Sequence, residues 1–458
     1  MSENTITQQD TIVALATANG NGAIAVVRLS GEHAISICNE VFRGKDLSTQ
    51  PSHTIHFGTI RDGEEILDEV LVSLFIGPNS YTKEHVVEIS THNSSYIIER
   101  VINLLIKKGA RAARPGEFTL RAFLNGGLDL SQAEAVADLI ASNSAASHQV
   151  AMQQMRGGFS NQLKQLREDL ITFASLIELE LDFSEEDVEF ANREQLKVLI
   201  LKIYEVINKL IRSFEQGNVM KNGVPVVIAG KPNVGKSTLL NALLNEERAI
   251  VSDIAGTTRD TIEDEINING VTFRFIDTAG IRETADVVEA IGVERTREKM
   301  KLARLIVYLV DPTQDTISEV LKQLEEVKSL DIPYVVIVNK ADLLADAERA
   351  AFDVLEASFI SAKSQDGVEE LKDLLLEQVN LKGLNADDVM VTNIRHLEAL
   401  KNTQAALERV LGGIDNPVTS DFLALDIRQA LYHLGEITGQ VSTDDLLDNI
   451  FSKFCIGK

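Results

Sequence analysis

Hydrophobic and polar residues follow two different patterns along the chain, and the pattern changes several times. Residues 11–92 contain short runs rich in Val and Ile, separated by turn residues such as Asp62-Gly63, which is typical of strands. The segment Ser94–Lys107 favours a helix. The runs predicted as strands are Thr11–Thr17, Ile24–Leu29 and Ile66–Ile76. This first part of the chain therefore predicts a small α/β domain.

Amphipathic helices are predicted on both sides of a second α/β segment, in which strands alternate with helices from Val224 to about Asn380. In these helices the apolar residues recur at three- and four-residue steps. The stretches with this period are 163–177, 196–214, 397–411 and 423–434. The simplest arrangement is one helical domain assembled from both flanks. The predicted domains are residues 1–125 (N-terminal α/β), 126–218 and 381–458 (two parts of the helical domain) and 219–380 (inserted α/β).

The composition excludes several classes of protein. The chain has 458 residues, of which 44% are hydrophobic, and a formal net charge of −25. Nucleic-acid-binding proteins are usually basic, so any RNA contact would be local or shared with a partner. The two cysteines, Cys38 and Cys455, fit a reducing compartment. Met1–Asp10 has no signal-peptide core, and no apolar run approaches the roughly 18 residues that span a bilayer. We therefore expect a cytoplasmic protein without a membrane contact.

A phosphate-binding loop is predicted at Gly230–Ser237, where Gly-Lys-Pro-Asn-Val-Gly-Lys-Ser matches G-x-x-x-x-G-K-[ST]. It lies between the apolar run Val224–Ala229 and a predicted helix at Thr238–Leu244, which is the context that the motif requires. Glycines let backbone N–H groups surround phosphate oxygens, and the helix N-terminus adds partial positive charge. We expect Lys236 to reach the β and γ phosphates and Ser237 to ligate Mg²⁺.

A second element is predicted to lie beside the γ-phosphate. The strand Phe273–Ile276 follows a hairpin turn at Asn269-Gly270 and leads into Asp277-Thr-Ala-Gly280. Asp277, at the end of a buried strand, can hold Mg²⁺ through a water molecule. Gly280 lets the backbone approach the γ-phosphate.

Two further elements are predicted to bind the base. The strand Tyr334–Val338 ends at Asn339-Lys-Ala-Asp342, and Asp342 can accept hydrogen bonds from the N1 and 2-amino groups of guanine. Adenine lacks those donors, so the site is expected to select GTP over ATP. Phe359–Lys363 resembles the last element of a guanine pocket. Four such elements in this order and spacing predict a P-loop GTPase.

The residue that orients the attacking water is not fixed by spacing. Ras-like enzymes use a glutamine after the Asp-Thr-Ala-Gly element, and here that position is Ile281. The carboxylates of the predicted switch that follows are Glu283, Asp286, Glu289 and Glu294. In the other predicted switch, Ser252–Asp260, Thr258 is a natural ligand of Mg²⁺ and the γ-phosphate. Arg259 is either an internal arginine finger or part of a surface ion pair.

Several distinctive sequences lie outside the nucleotide-binding elements. They are Pro78–Thr82, Val86–Ile89, Ala113–Phe118, Arg121–Asn125, Leu128–Ala135 and Phe454–Lys458. Together with those elements, they resemble the MnmE (TrmE) family of bacterial tRNA-modification GTPases, in the TrmE-Era-EngA-YihA-Septin-like class, nearly end to end.

The resemblance implies a fold, an activity and partners. It implies an N-terminal domain that binds tetrahydrofolate and dimerises, a helical domain, and an inserted Ras-like GTPase domain. The homodimer would form a heterotetramer with the flavoprotein MnmG and act on the wobble uridine of certain tRNAs. A one-carbon unit from a tetrahydrofolate derivative, 5,10-methylene or 5-formyl, would build a carboxymethylaminomethyl group at C5. GTP hydrolysis would require Mg²⁺ and be stimulated by K⁺ when two GTPase domains meet.

The resemblance also implies roles for residues of the nucleotide site. Glu289 matches the family's general base, which acts through water, and Arg259 would then be structural. A K⁺ ion can neutralise charge that develops between the β and γ phosphates. The expected K⁺ ligands are Asn233, Ser252, Ile254 and Thr257, and the expected Mg²⁺ ligands are Ser237 and Thr258. The other residues expected at the nucleotide are Val234, Gly235, Lys236, Thr238, Asp253, Ala255, Gly256, Asp277, Thr278, Ala279, Gly280, Asn339, Lys340, Asp342, Ser361, Ala362 and Lys363.

For folate, the resemblance implies contacts at Arg28, Glu88 and Lys458, and a carboxylate suits the N3 and 2-amino donors of a pterin. Gly127 stands where the family usually has a lysine that contacts folate, so one charge contact is missing or replaced. The family's His-Gly-Gly stretch is His92-Asn-Ser-Ser95 here. Cys455 matches a cysteine needed for modification, whereas without the resemblance it would be interpreted as a half-buried tail residue.

Two other functions are alternatives at the level of sequence. A ribosome-assembly GTPase would bind RNA without modifying it, typically through a basic module. The small basic cluster available for this is Lys107, Lys108, Arg111 and Arg114. An interaction protein with an inactive nucleotide site is the other alternative. The intact residues that argue against it are Lys236, Ser237, Asp277 and Asp342.

Overall fold

The computed structural model describes residues 10–18, 20, 22–182, 193–248, 264–276, 298, 300–379, 389–415 and 420–457. The chain forms two compact units. The first unit combines residues 1–137, 154–204 and 398–458, and the second combines residues 138–153 and 205–397. These units are defined by compactness, so the domain boundaries stated above stay a prediction.

A seven-stranded sheet lies in the first unit, with the strand order β3-β4-β5-β6-β2-β1-β7. Neighbouring strands are antiparallel, except that β1 and β7 are parallel. The strands are β1 (Ile12–Leu15), β2 (Ile24–Ser30), β3 (Phe42–Arg43), β4 (Thr54–Asp62), β5 (Glu65–Phe75), β6 (Val86–His92) and β7 (Arg111–Ala112). The three predicted runs are all strands, and the turn at Asp62-Gly63 joins β4 to β5.

Three helices accompany this sheet: α1 (Ala34–Val41), α2 (Ser95–Lys107) and α3 (Glu117–Leu124). Alternate strand residues such as Val27, Val72 and Ile89 pack with apolar residues of α1 and α2 in one buried cluster. Because successive strand residues point to opposite faces, the residues between them lie on the other face. That other face carries Arg28 of β2 and its register partner Glu88 of β6.

The next helices are α4 (Leu130–Ala141), α5 (Ala145–Met155), α6 (Gly158–Asp182) and α7 (Arg193–Asn222). Of these, α6 and α7 cover the predicted helical stretches 163–177 and 196–214. The chain then enters the second α/β segment.

A six-stranded sheet lies in the second unit, with the order β13-β12-β11-β8-β10-β9. The strands are β8 (Val224–Ala229), β9 (Asp264–Ile268), β10 (Val271–Phe275), β11 (Leu305–Val310), β12 (Tyr334–Val338) and β13 (Ser358–Phe359). All neighbours are parallel except β9, which pairs antiparallel with β10 across the predicted Asn269-Gly270 turn. Both turn residues have positive φ, 49° and 84°, as a type I′ turn requires.

Apolar clusters cover both faces of this sheet, which explains the nearly continuous apolar runs of its strands. Val226, Val307 and Ile337 belong to one cluster, whereas the alternate residues Val227 and Tyr308 belong to the other. The helices of this segment are α8 (Lys236–Arg248), α9 (Ile317–Lys328), α10 (Asp346–Arg349) and α11 (Val368–Gln378). The parallel strands place their carboxyl ends at one edge, where α/β folds bind ligands.

Three helices follow in the C-terminal part: α12 (Ile394–Asp415), α13 (Ser420–Thr438) and α14 (Asp444–Phe451). Within the first unit, α13 packs along α6, where Arg428 forms an ion pair with Glu178 at 2.7 Å. Tyr204 of α7 donates to Glu408 of α12 at 2.7 Å. Segments from before and after the second α/β segment therefore pack together, as the sequence predicted.

Candidate functional site

The predicted phosphate-binding loop connects the central strand β8 to α8, which begins at Lys236 rather than at Thr238. Gly235 has φ 103°, and a Cβ there would collide with Nδ2 of Asn339. Glycine is therefore required at this position by both conformation and space. Ser237 and Thr238 lie in the first turn of α8, the end of a helix at which anions are favoured.

Lys236 curls back over the loop that precedes it. Its Nζ donates to the carbonyl oxygens of Gly230 at 2.7 Å and Lys231 at 3.0 Å. Burial lowers the pKa of Lys236. A partly desolvated ammonium group attracts a phosphate more strongly than one surrounded by water.

The predicted base-binding elements are joined to this loop through Asn339, which is 3% exposed. Its Nδ2 donates to the carbonyl of Val234 at 2.8 Å, and its Oδ1 accepts from the N–H of Ala362 at 3.0 Å. The buried Ser361 precedes Ala362, and the exposed Lys363 follows it. The structure thus brings the loop after β13 next to the phosphate-binding loop.

Asp342 lies in a short 3₁₀ turn, Ala341–Leu343, immediately after Lys340. Its side chain is exposed. The N–H of Ala341 donates to the carbonyl of Ile360 at 3.0 Å, which ties this turn to the loop that carries Ser361. A carboxylate is therefore available beside the base-binding loop.

Lys340 has a structural partner that the sequence analysis did not identify. Its Nζ forms an ion pair with Asp311, at the end of β11, and donates to the carbonyl of Asn233 at 3.2 Å. Asp311 is fully buried and also accepts from the N–H and hydroxyl of Thr313. Burial would raise the pKa of Asp311, but the hydrogen bonds from Lys340 and Thr313 outweigh it and lower the pKa.

A second unpredicted contact holds the loop at Lys231. Its Nζ lies 2.9 Å from Asp315 and 3.0 Å from Glu319 of α9, and the hydrogen bonds that it donates to these carboxylates raise its pKa. Asp315 also accepts from the N–H of Asp311 at 2.8 Å. The sequence signal that could have revealed this cluster of charged residues is Asp311, an acidic residue directly after the apolar run of β11.

A second site lies on the first unit's sheet, on the face opposite α1 and α2. Arg28 of β2 and Glu88 of β6 are register partners, and their Nε and Oε1 atoms are 2.8 Å apart. The Arg28 guanidinium lies 5.7 Å from the ring centroid of Phe118 and 5.9 Å from that of Tyr81. Its Nη1 donates to the carbonyl of Gly457 at 3.3 Å. The predicted folate residues Arg28 and Glu88 are thus brought together with the C-terminal tail.

Comparison with known proteins gives the family. A family model described as "MnmE helical domain" matches residues 130–455, and one described as "GTP-binding protein TrmE N-terminus" matches residues 11–127. The tRNA modification GTPase MnmE of Cytophaga hutchinsonii is 60% identical over 460 residues, which is 100% of both chains. The chain belongs to the MnmE family of tRNA modification GTPases. It is therefore a GTP-binding GTPase, as the motifs predicted.

Other relatives agree with this assignment. The MnmE protein of Christiangramia forsetii is 57% identical, over 98% of this chain and 99% of its own. Among solved structures, Era in complex with MgGDPNP and nucleotides 1506–1542 of 16S ribosomal RNA is 30% identical over 40% of this chain and 66% of that chain. Its TM-score of 0.28 is too low to add to the assignment.

Part of the site predicted for this MnmE-family chain lies outside the described residues. The predicted site residues concerned are Ser252, Asp253, Ile254, Ala255, Gly256, Thr257, Thr258, Asp277, Thr278, Ala279, Gly280, Glu289 and Lys458. Their roles stay predictions. The strand β10, which precedes Asp277, runs parallel to β8 and leads toward the edge that carries the phosphate-binding loop.

The C-terminal tail corrects one interpretation of the sequence. Cys455 is exposed rather than half-buried, and its carbonyl accepts from the N–H of Gly116 at 3.3 Å. Gly457 is buried, and a Cβ there would collide with the carbonyl of Leu15. The tail is therefore held by its backbone, and the thiol remains accessible.

Two of the four cations in the small basic cluster, Arg111 and Lys108, are paired with acidic residues. Arg111 forms ion pairs with Asp10 and Glu117, and Lys108 forms one with Glu40. These cations are therefore already paired within the protein. Within the described ranges, no helix has both the length and the apolar character needed to span a membrane.

Proposed function

We propose that this GTPase modifies the wobble uridine of certain tRNAs together with the flavoprotein MnmG. The complex would add a carboxymethylaminomethyl group at C5, with a one-carbon unit taken from tetrahydrofolate. The relatives' name, tRNA modification GTPase MnmE, motivates the tRNA substrate. One observation carries the proposal. The same chain contains both the predicted guanine-nucleotide site, whose loops are joined by Asn339, and the Arg28–Glu88 site.

The chemistry of the described loop suits a GTP·Mg²⁺ complex. Lys236 would neutralise charge on the β and γ phosphates, and the hydroxyl of Ser237, with Thr258, would give Mg²⁺ the oxygen ligands that it prefers. Asp342 would accept hydrogen bonds from guanine. In this arrangement Glu289 would orient the attacking water, a role that we assign from the resemblance.

Asn233 supports a K⁺ site next to the phosphates. It has a left-handed backbone with φ 62° and an exposed side chain, and its carbonyl is fixed by Lys340. An amide oxygen presented at this point could contribute to a cation site with Ser252, Ile254 and Thr257. A cation there would stabilise charge between the β and γ phosphates.

The Arg28–Glu88 site suits tetrahydrofolate. A carboxylate can accept the N3 and 2-amino hydrogens of a pterin, and a guanidinium can pair with a carboxylate of the ligand. Tyr81 and Phe118 flank the guanidinium, and the exposed ring of Tyr81 could contact a flat ligand. Tetrahydrofolate supplies the one-carbon unit when bound, and Cys455 would be an accessible thiol on the same unit.

A homodimer is supported by an exposed apolar surface on the same sheet face. Phe57 and Leu71 are cross-strand partners on β4 and β5, and they are 67% and 46% exposed. Ile55, two residues along β4, is also exposed. Contiguous exposed apolar side chains mark interaction surfaces, and a second copy of the chain could cover them through a two-fold interface. In solution, Phe57→Asp should convert the dimer to a monomer.

Mass spectrometry of tRNA nucleosides tests the proposal directly. Cells that lack this protein should lose the carboxymethylaminomethyl group from wobble uridines. Wild-type protein should restore it, and a Lys236→Ala variant should not. Unchanged wobble nucleosides in the deletion strain would contradict the proposal and favour a ribosome-assembly role.

A further inference from the structure

Lys83 has an unfavourable backbone conformation that its neighbours impose. Its φ is 61°, in the left-handed region that L residues rarely adopt. On one side, Thr82 shares a 2.6 Å hydrogen bond with Ser30, and on the other, Glu84 accepts from Ser30 at 2.7 Å. Asn125 also donates to the carbonyl of Thr82 at 2.7 Å. Strain of this kind persists where surrounding contacts fix it, and it is concentrated at functional sites.

These anchors place Lys83 at the rim of the Arg28–Glu88 site. Ser30 lies two residues after Arg28 on β2, on the same face of the sheet. Tyr81, two residues before Lys83, lies over the Arg28 guanidinium and shares a 2.9 Å hydrogen bond with Thr119. The loop that carries Lys83 is thus attached to this site on both sides.

The side chain of Lys83 lies beside Gly127. A Cβ built at Gly127 would be 3.0 Å from the carbonyl oxygen of Ala122, and 3.4 Å from Cε and 3.5 Å from Cγ of Lys83. The lysine therefore occupies the space into which a side chain at position 127 would project.

The charge of Lys83 is available to a ligand. Its side chain is exposed, and among the described residues no carboxylate lies within ion-pair distance of it. Arg28 and Glu88, in contrast, compensate each other. A dianionic group entering this site would therefore meet the uncompensated charge of Lys83.

We propose that Lys83 binds the glutamate carboxylates of tetrahydrofolate, in the place that position 127 leaves open. This inference rests on the proposed folate-binding function, and it names the part of the ligand that the residue takes. It also predicts that the two positions can be exchanged. Glycine at position 83 would relieve the left-handed strain, and a lysine at position 127 could reach the vacated space.

Calorimetric titration of the full-length protein with 5-formyltetrahydrofolate tests this inference. Lys83→Gly and Lys83→Ala should each weaken binding about five- to tenfold, as expected for one charge-assisted contact near the surface. The loss should shrink at high salt. Binding of a tetrahydropterin that lacks the aminobenzoyl-glutamate tail should not change. The thermal stability of Lys83→Gly should equal or exceed that of wild type, which excludes unfolding as the cause.

The double variant Lys83→Gly/Gly127→Lys should regain most of the lost affinity. Lys45→Ala is the matched control, because Lys45 is exposed and follows β3, the far edge of the sheet from β2. Unchanged affinity in both Lys83 variants, with normal wild-type binding, would overturn this inference only. Wild-type protein that binds no folate would overturn the folate function, and the inference with it.

Discussion

The side chain of Asn339 donates a hydrogen bond to the carbonyl of Val234 at 2.8 Å, and this contact joins the two halves of the predicted nucleotide site. The same side chain accepts from the N–H of Ala362 at 3.0 Å. The positions of the phosphate-binding loop and the base-binding loop are therefore coupled through one buried amide. A nucleotide that fits one loop finds the other already in place.

Asn339→Ala should weaken the binding of GDP and GTP together. The substitution leaves the carbonyl of Val234 and the N–H of Ala362 without a partner, and each unpaired buried group costs roughly 1–3 kcal/mol. We expect the dissociation constants to rise about tenfold or more, measured by titration with a fluorescent GDP analogue. Asn402→Ala, at an exposed position of α12, is the control and should bind like wild type. Equal affinities for all three proteins would contradict the coupling.

Asp311→Asn should reduce stability in a pH-dependent manner. The pKa of Asp311 is lowered in the folded protein, so its ion pair with Lys340 stabilises the fold above the ordinary aspartate pKa of about 3.9. That stabilisation is lost as the pH falls through the lowered pKa. The difference in Tm between wild type and variant should be constant above about pH 5 and should shrink below about pH 4. A difference that grows in acid would show that the sign is wrong.

Asp342→Asn should change the base preference of the enzyme. The variant loses the acceptor for the N1 and 2-amino hydrogens of guanine, but its amide can donate to an oxygen. Xanthine carries an oxygen where guanine has its 2-amino group. We expect GTP affinity to fall about a hundredfold and XTP affinity to rise, because unpaired polar groups in a binding site are strongly rejected. Competition titrations with both nucleotides measure this, and an unchanged ratio would remove Asp342 from the base site.

GTP turnover should be slow in sodium buffer and much faster in potassium buffer. K⁺ held by Asn233 would neutralise charge that develops between the β and γ phosphates. Asn233→Ala should lose most of the difference between the two salts and still bind GDP. Equal wild-type rates in both salts at constant ionic strength would refute the potassium assignment.

Glu289→Ala should bind GTP normally and hydrolyse it poorly. A residue that only orients the attacking water contributes to the transition state and not to ground-state binding. Glu283→Ala and Glu294→Ala are matched controls from the same acidic segment and should retain most activity. Full activity of the Glu289 variant would return the role to one of the other carboxylates.

Local features of this protein were predictable from sequence, and long-range contacts were not. The phosphate-binding loop, the Asn269-Gly270 turn and the buried strands depend on residues that are adjacent in sequence. Asp311 was missed because its role depends on the packing of β11 beside β12, which brings it to Lys340. The strand β4 was also missed, because its exposed Ile55 and Phe57 interrupt the expected apolar-in, polar-out alternation.

The second site shows the same limit. The resemblance implied Arg28 and Glu88, but only the register of β2 and β6 makes them a pair. The sequence identifies Gly127 as a departure from the family's usual lysine. It does not identify a residue that replaces that lysine, because Lys83 lies far from Gly127 in sequence. The proximity of Lys83 to Gly127 depends on the contacts of Thr82 and Glu84 with Ser30.

The contact between Arg28 and Gly457 has a consequence for the order of events during synthesis on the ribosome. Arg28 emerges early, yet the carbonyl that it binds is translated 429 residues later. The thiol of Cys455 cannot take its position until residues 455–457 have been translated. Nascent fragments can therefore form the nucleotide cradle well before any of them presents this cysteine.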